Sequence, residues 1–419
     1  MTGIQRRQFL SGAAGAVLAA SISGRAQAAD DIVIGVPTAM SSPVGAGDQK
    51  DWLNGVTVAI DEINAGGGVK GRKLRAEVVD IDILTPEGTV GAIQSLTGKK
   101  VQAIASSFVL IPQPAMDATA ATRVPYLHGN TSIASLELVK ANPVKYKNIF
   151  QIDGAETWYG SGFVRYLDKI AASGSWKPKN NKIHIVQEQI AYTQVISKSV
   201  QKAITESNGK WALGAITDIQ FPVQDWSPVL RALHQSDAGI IFIDHWVAAE
   251  LAAFAQQFAA DPVRGSLVYL QYGPSQPEFL NLAAGSAEGM IWGTVVGTHA
   301  DEAGLAFRKT YMKRFGDNMG IVYTGSGYDT IKLLSSIWAK VDANDFDAVG
   351  DAIRKTSYKG VCGTYTFDRP EQAPLVYPWQ TDDPNAGVSH LLLQVQDGKH
   401  KIIAPDVYAE VKIKPAPWF

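Results

Sequence analysis

Asp31-Ile32-Val33-Ile34-Gly35-Val36 opens the unit whose reading decides the fold. A loop from Pro37 to Gly47 follows it. Then comes a run with apolar Trp52, Val56, Ala59, Ile60 and Ile63, and next Asn64-Ala65-Gly66-Gly67-Gly68 and Leu74 to Val79. A short β-branched run reads as a strand, and the 3.6-type apolar spacing reads as a helix. The glycines suit the left-handed backbone that ends a helix. The same alternation continues outward. Thr85-Pro86-Glu87 starts a helix to about Thr97, Ala103 to Ala105 is a strand, Pro114 to Thr122 a helix, and Val124 to Leu127 a strand. Strand–helix alternation of this kind predicts a parallel sheet with helices on both faces.

A second alternation begins at Lys182. Strands are expected at Lys182–Val186, Ala215–Ile219, Gly239–Ile243 and Leu267–Leu270, with helices at Thr193–Ser207, Trp226–His234 and Ala248–Phe258 between them. A further strand (Gly289 to Val296), two helices (Ala303 to Phe315 and Tyr328 to Lys340) and a β-rich tail remain. These are too few for a third domain. The fold class is therefore α/β, with two doubly wound lobes.

Length and composition agree. A chain of 419 residues exceeds what one core usually serves, and 46% hydrophobic residues with 38 Lys+Arg against 40 Asp+Glu is ordinary for a globular protein. The net charge of −2 gives no case for nucleic acid. A single cysteine, Cys362, allows no intrachain disulfide or thiolate cluster, and it reads as a small core residue beside Gly363. Residues 1–28 read as an export signal. Arg6-Arg7 precede an apolar run from Phe9 to Ile22, and Ala26-Gln27-Ala28 supplies the small-x-small cleavage pattern. Twin arginines resemble the bacterial twin-arginine route, which places the mature chain, from Ala29, in the periplasm.

Enzyme signatures are missing. There is no G-x-S-x-G elbow, P-loop or H-E-x-x-H, and the histidines at 128, 184, 234, 245, 299, 390 and 400 are too scattered for a local metal clamp. Asp80 and Asp82 read as solvated loop acids. No cofactor is expected and the chain is read as non-enzymatic. In open α/β sheets ligands bind beyond the carboxyl ends of the strands. The loops there are Ser106-Ser107-Phe108, Gly129-Asn130-Thr131-Ser132, Gln189 to Tyr192, Asp244-His245-Trp246 and Gln271-Tyr272-Gly273. Hydroxyls, helix-start amides and flat rings suit a small ligand with one polar end and one apolar body.

The opening stretch with Ala39-Met40-Ser41-Ser42-Pro43 and Ile63-Asn64-x-x-Gly67-Gly68-x-x-Gly71-x-x-Leu74 resembles the type I periplasmic solute-binding proteins of ABC importers, the leucine/isoleucine/valine-binding group in particular. Val124-Pro125-Tyr126, Ala287-Glu288-Gly289-Met290 and Tyr328-Asp329-Thr330-Ile331-Lys332-Leu333-Leu334 extend the likeness. The resemblance implies two lobes joined by three crossover strands: lobe 1 at about 30–151 and 288–376, lobe 2 at about 152–287 and 385–419. It also implies a ligand in the cleft, and a monomer that delivers its cargo to a membrane permease and its ATPase. Carried over to this chain, the site holds Ser106 and Ser107, with Val109 where the family's key serine stands, then Asn130, Thr131 and Tyr192. The acid that pairs with an α-ammonium falls at Gln271 or Tyr272, neither acidic, and Asp244 is the nearest substitute. Phe108, Trp246 and Tyr272 would stack on the ligand, with His245 beside them. The altered handles point from a branched-chain amino acid toward an aromatic or other small carboxylate, amide or polyol. The alternative function is a ligand-sensing module of the same fold that feeds a signalling partner.

Overall fold

The structure is a computed structural model and describes residues 30–42, 44–174 and 176–419. The export signal expected over 1–28 lies outside these residues. The first half of the chain runs β1 (Ile32–Thr38), α1 (Ala46–Ala65), β2 (Leu74–Asp80), α2 (Pro86–Gly98), β3 (Ala103–Ser106), α3 (Pro112–Ala120), β4 (Tyr126–His128), α4 (Ile133–Ala141) and β5 (Ile149–Gln151). These strands form one parallel sheet in the order β2-β1-β3-β4-β5. Its middle strands β3 and β4 are wholly buried, as expected where helices cover both faces. The first helix ends as its glycines suggest, with Gly67 at φ 97° and Gly68 at φ 75°.

The chain then crosses through α5 (Thr157–Ser173) into β6 (Lys182–Glu188), α6 (Ala191–Glu206), β7 (Ala212–Ile219), α7 (Ser227–Ser236), β8 (Ile240–Asp244), α8 (Ala248–Ala260), β9 (Leu267–Leu270), α9 (Phe279–Ala283) and β10 (Ile291–Thr294). It returns through α10 (Glu302–Phe315), α11 (Tyr323–Trp338) and α12 (Phe346–Lys355) to a small sheet of β11 (Ser357–Gly360), β12 (Gly363–Thr366), β13 (Leu375–Tyr377) and β14 (Gly387–Ser389). Lastly, β15 (Leu391–Gln396) and β16 (Lys399–Ala404) join the second large sheet, whose order is β16-β15-β10-β9-β8-β6-β7. Its last two strands are antiparallel.

Two features depart from the expected layout. Ile291–Thr294, expected to begin the return to lobe 1 at 288, pairs with β9 and β15 of the second sheet, so the chain leaves that sheet only after Thr294. The segment from 133 to 173 carries α4, β5 and α5, none of which the periodicity shows. The reason is local: β5 has three residues, and α5 carries Gly160 and Gly162. A Cβ at Gly160 would lie 2.1 Å from Ser199 Oγ on α6, so glycine here permits close helix packing rather than ending a helix. Gly55 acts the same way where α1 meets α11, since its Cβ would stand 1.9 Å from the Thr324 carbonyl oxygen. Cys362 is buried, with Thr298 Oγ1 at 4.0 Å. Among the described residues no helix is long and apolar enough to cross a membrane.

Candidate functional site

A cavity of about 180 Å³ lies where the carboxyl ends of the two sheets face each other. Phe108 to Leu110 follow β3, and Asn130 to Ala134 follow β4. Across from them, Tyr192 opens α6, Trp246 follows β8 and Tyr272 follows β9. Glu156 and Tyr159 come from the first crossing, and Tyr323 from the start of α11. Its walls are rings. Phe108 stacks on Tyr323 at 5.3 Å between centroids and meets Trp246 of the opposite sheet edge-on at 6.3 Å. Tyr272 sets its edge to Tyr323 at 6.1 Å and to Tyr159 at 6.3 Å. Offset and edge-on pairs of this kind add to plain burial, and here they close the cavity from both lobes.

The polar floor comes from the loop after β4 and the start of the first crossing. Thr131 has φ 51°, a left-handed backbone that strains a β-branched residue. Asp153 holds it there, accepting the Thr131 N–H at 3.2 Å and its hydroxyl at 2.6 Å. Asn130 Oδ1 accepts the Val109 N–H at 2.9 Å, tying the two loops together, while Asn130 Nδ2 is buried without a partner. Ser132 caps α4 by accepting the Ser135 N–H at 3.2 Å. Glu156 Oε2 accepts the Ile133 N–H at 2.6 Å, also at the start of α4. Burial pushes the Glu156 carboxyl up to about 7 despite that bond. Burial likewise raises Asp153 to about 7, against the two bonds from Thr131.

Of the twelve residues expected from the sequence, Phe108, Val109, Asn130, Thr131, Tyr192, Trp246 and Tyr272 line the cavity; Ser106, Ser107, Asp244, His245 and Gln271 do not. Strand-end alternation is the cause. Asp244 ends β8 fully buried, and its carboxyl is raised well above the ordinary range by burial and by the charge of Glu188. The next residue, His245, turns to the other helix layer. Its Nδ1 is 2.8 Å from Glu188 and its Nε2 3.0 Å from Glu250, and its ring meets Trp226. Burial pulls the His245 pKa down, but the two glutamates outweigh it and hold the net shift upward. Only Trp246 then faces the cavity. Gln271 sits behind the wall and donates to the Tyr192 hydroxyl at 3.3 Å. Ser106 and Ser107 belong to the buried end of β3, where the Ser107 carbonyl accepts the Gly129 N–H at 2.7 Å.

Glu156, Tyr159 and Tyr323 were not legible as site residues. Tyr323 lies far along the chain, and the other two sit in the segment whose elements the periodicity did not show. Gln276 is a further unforeseen part: it accepts the Ala248 N–H at 3.2 Å and donates to the Trp246 carbonyl at 2.8 Å, clamping the Trp246 loop. Gly273 allows that clamp, since a Cβ there would lie 2.4 Å from Leu251 and 2.9 Å from the Trp246 carbonyl oxygen. Asp80 and Asp82 serve as loop locks, accepting from Met40, Ser41, Leu84 and Thr85. Among the described residues no group of three or more His, Cys, Asp or Glu could hold a metal ion.

Two α/β lobes that close over a shared cavity define a two-lobed receptor for small molecules. The chain belongs to the periplasmic binding protein family, type I, matched over residues 31–379. It is 24% identical over 281 residues to the leucine-specific-binding protein of Salmonella typhimurium, covering 66% of this chain and 70% of that one. A crystal structure from Silicibacter pomeroyi, described as a branched-chain amino acid ABC transporter, superposes with a TM-score of 0.85 at 31% identity, over 93% of this chain and 100% of that one. An ABC transporter solute-binding protein of R. palustris in complex with benzoate shares the fold, with a TM-score of 0.69 at 16% identity over 91% and 99% of the two chains.

Proposed function

We propose that this chain is the extracytoplasmic substrate-binding component of an ABC importer. In this reading it is exported by its twin-arginine signal and acts as a monomer in the periplasm. It holds a small amino acid, or a related small carboxylate or aromatic compound, between its lobes and hands it to a membrane permease with its ATPase. Lobe 1 would comprise the first sheet with α10 to α12, and lobe 2 the second sheet. The observation that carries the reading is the cavity lined by rings from both sheets, with Phe108 against Trp246. A ligand that touches both lobes favours the closed state by its differential affinity. Release on docking then needs no covalent step.

Thermal unfolding of the mature chain from Ala29, stripped of ligand, tests this against leucine, valine, phenylalanine, benzoate, small amides and polyols. A ligand at one hundred times its Kd stabilises the fold by about 2.7 kcal/mol. A melt that moves with one of these supports the reading, and one that moves with none counts against it.

A further inference from the structure

We propose that the cavity selects a cationic ligand, an ammonium group on an apolar or aromatic body, with Glu156 as its counter-charge. The inference rests on the reading of this cavity as the ligand site. Of the small amino acids, carboxylates and aromatic compounds that reading admits, it favours those that carry an ammonium group and disfavours those that carry a carboxylate.

Its first support is the state of the anion-binding donors. The start of a helix is a ready receptor for a carboxylate, and α4 begins in the cavity floor. Here the protein's own side chains have taken those donors. The Thr131 N–H goes to Asp153, the Ser132 N–H to Gln151 at 3.4 Å, the Ile133 N–H to Glu156 and the Ser135 N–H to Ser132 Oγ. The Thr131 hydroxyl also donates to Asp153, and the Val109 N–H of the neighbouring loop to Asn130. A ligand carboxylate would find these helix-start donors occupied and, in the floor, only the unpartnered Asn130 amide to meet it.

Charge is the second support. Among the described residues that line the cavity, Glu156 is the one acidic side chain, and no Lys, Arg or His is with them. Asp153 stands directly behind Thr131. An anion entering here would meet two carboxyls and no cation, whereas an ammonium would favour the ionised form of Glu156.

The rings supply the rest. Phe108, Trp246, Tyr272, Tyr323, Tyr159 and Tyr192 surround the space. The face of an aromatic ring attracts a cation held within about 6 Å of its centroid, most strongly where water is excluded. A carboxylate gains nothing from those faces.

Calorimetric titration of the ligand-stripped mature chain with two matched sets decides the matter. The sets are phenethylamine, phenylalanine and 3-phenylpropionate, and isoamylamine, leucine and 4-methylpentanoate. The amine of each set should bind at least tenfold more tightly than the amino acid, and the acid not measurably. Glu156→Gln should cut amine affinity tenfold or more. Its ligand-free melt should stay near that of the parent, because the amide oxygen can still accept the Ile133 N–H. Trp246→Leu, which leaves Glu156 in place, should weaken the amines several-fold. If an acid or amino acid binds tighter than its amine, or Glu156→Gln leaves amine affinity unchanged, the inference is overturned while ligand binding by the cleft stands. If no member of either set binds, the inference is overturned, and the reading of the cavity as the ligand site falls with it only if the benzoate, amides and polyols of the melting panel also leave the chain unmoved.

Discussion

Asp153→Ala probes how the cavity floor is held. In the parent, Thr131 keeps a left-handed backbone at φ 51° with Asp153 accepting both its N–H and its hydroxyl and its own carbonyl accepting the Glu156 N–H at 3.1 Å. That conformation costs an ordinary residue about 1–2 kcal/mol. Each bond to an ionised acceptor returns about 1.5–3 kcal/mol before the cost of burying the carboxyl is set against it. Removing Asp153 deletes the bonds, but it also removes a carboxyl whose burial raises it to about 7, so the gains partly cancel. The expected net destabilisation is about 2 kcal/mol, read as a fall in the urea midpoint at constant m-value. Thr131→Gly in the parent should cost about 1 kcal/mol, through the lost hydroxyl bond. In the Asp153→Ala background the same glycine should restore about 1 kcal/mol, because it adopts positive φ freely. The coupling between the two sites in this double-mutant cycle is the quantity of interest. The reasoning fails if Asp153→Ala lies within about 0.5 kcal/mol of the parent, or if glycine at 131 costs the same in both backgrounds.

Gly273→Ala should push the Tyr272–Gln276 turn away from Leu251 and the Trp246 carbonyl, destabilising the chain by about 1–3 kcal/mol. It should also weaken any cleft ligand several-fold in the same titrations, since Tyr272 and Trp246 both line the cavity. Stability should fall as pH rises from about 6.5 to 8; below that window His128, His184, His299, His390 and His400, held neutral by burial, act in the opposite sense. Burial raises Asp51 to about 6 and Asp153, Glu156 and Asp329 to about 7, so the folded chain holds protons there that the unfolded chain releases. The melting temperature of the ligand-free protein across that range checks the sign. Replacing Arg6 and Arg7 by lysine should leave the chain in the cytoplasm, as cell fractionation would show; export undiminished by the change would argue for another route.

The two α/β units and the position of their ligand edge are legible in the amino-acid order. β-branched runs and 3.6-spaced apolar residues are local signals, and they locate β1, α1, β6 and β8 to within a few residues. The loops after β3, β4, β8 and β9 follow directly, and with them Phe108, Thr131, Trp246 and Tyr272. Which neighbours of those residues face the cavity depends on how the layers pack. Asp244, His245 and Trp246 are consecutive, yet one turns to α6, one to α7 and α8, and one to the cavity, because direction at a strand end depends on the layers packed beside it. Glu156 and Tyr323 reach the same cavity from a helix start in a crossing segment and from a helix nearly 170 residues further on. No local periodicity encodes that meeting, since only the packing of the crossings between the two sheets brings them together.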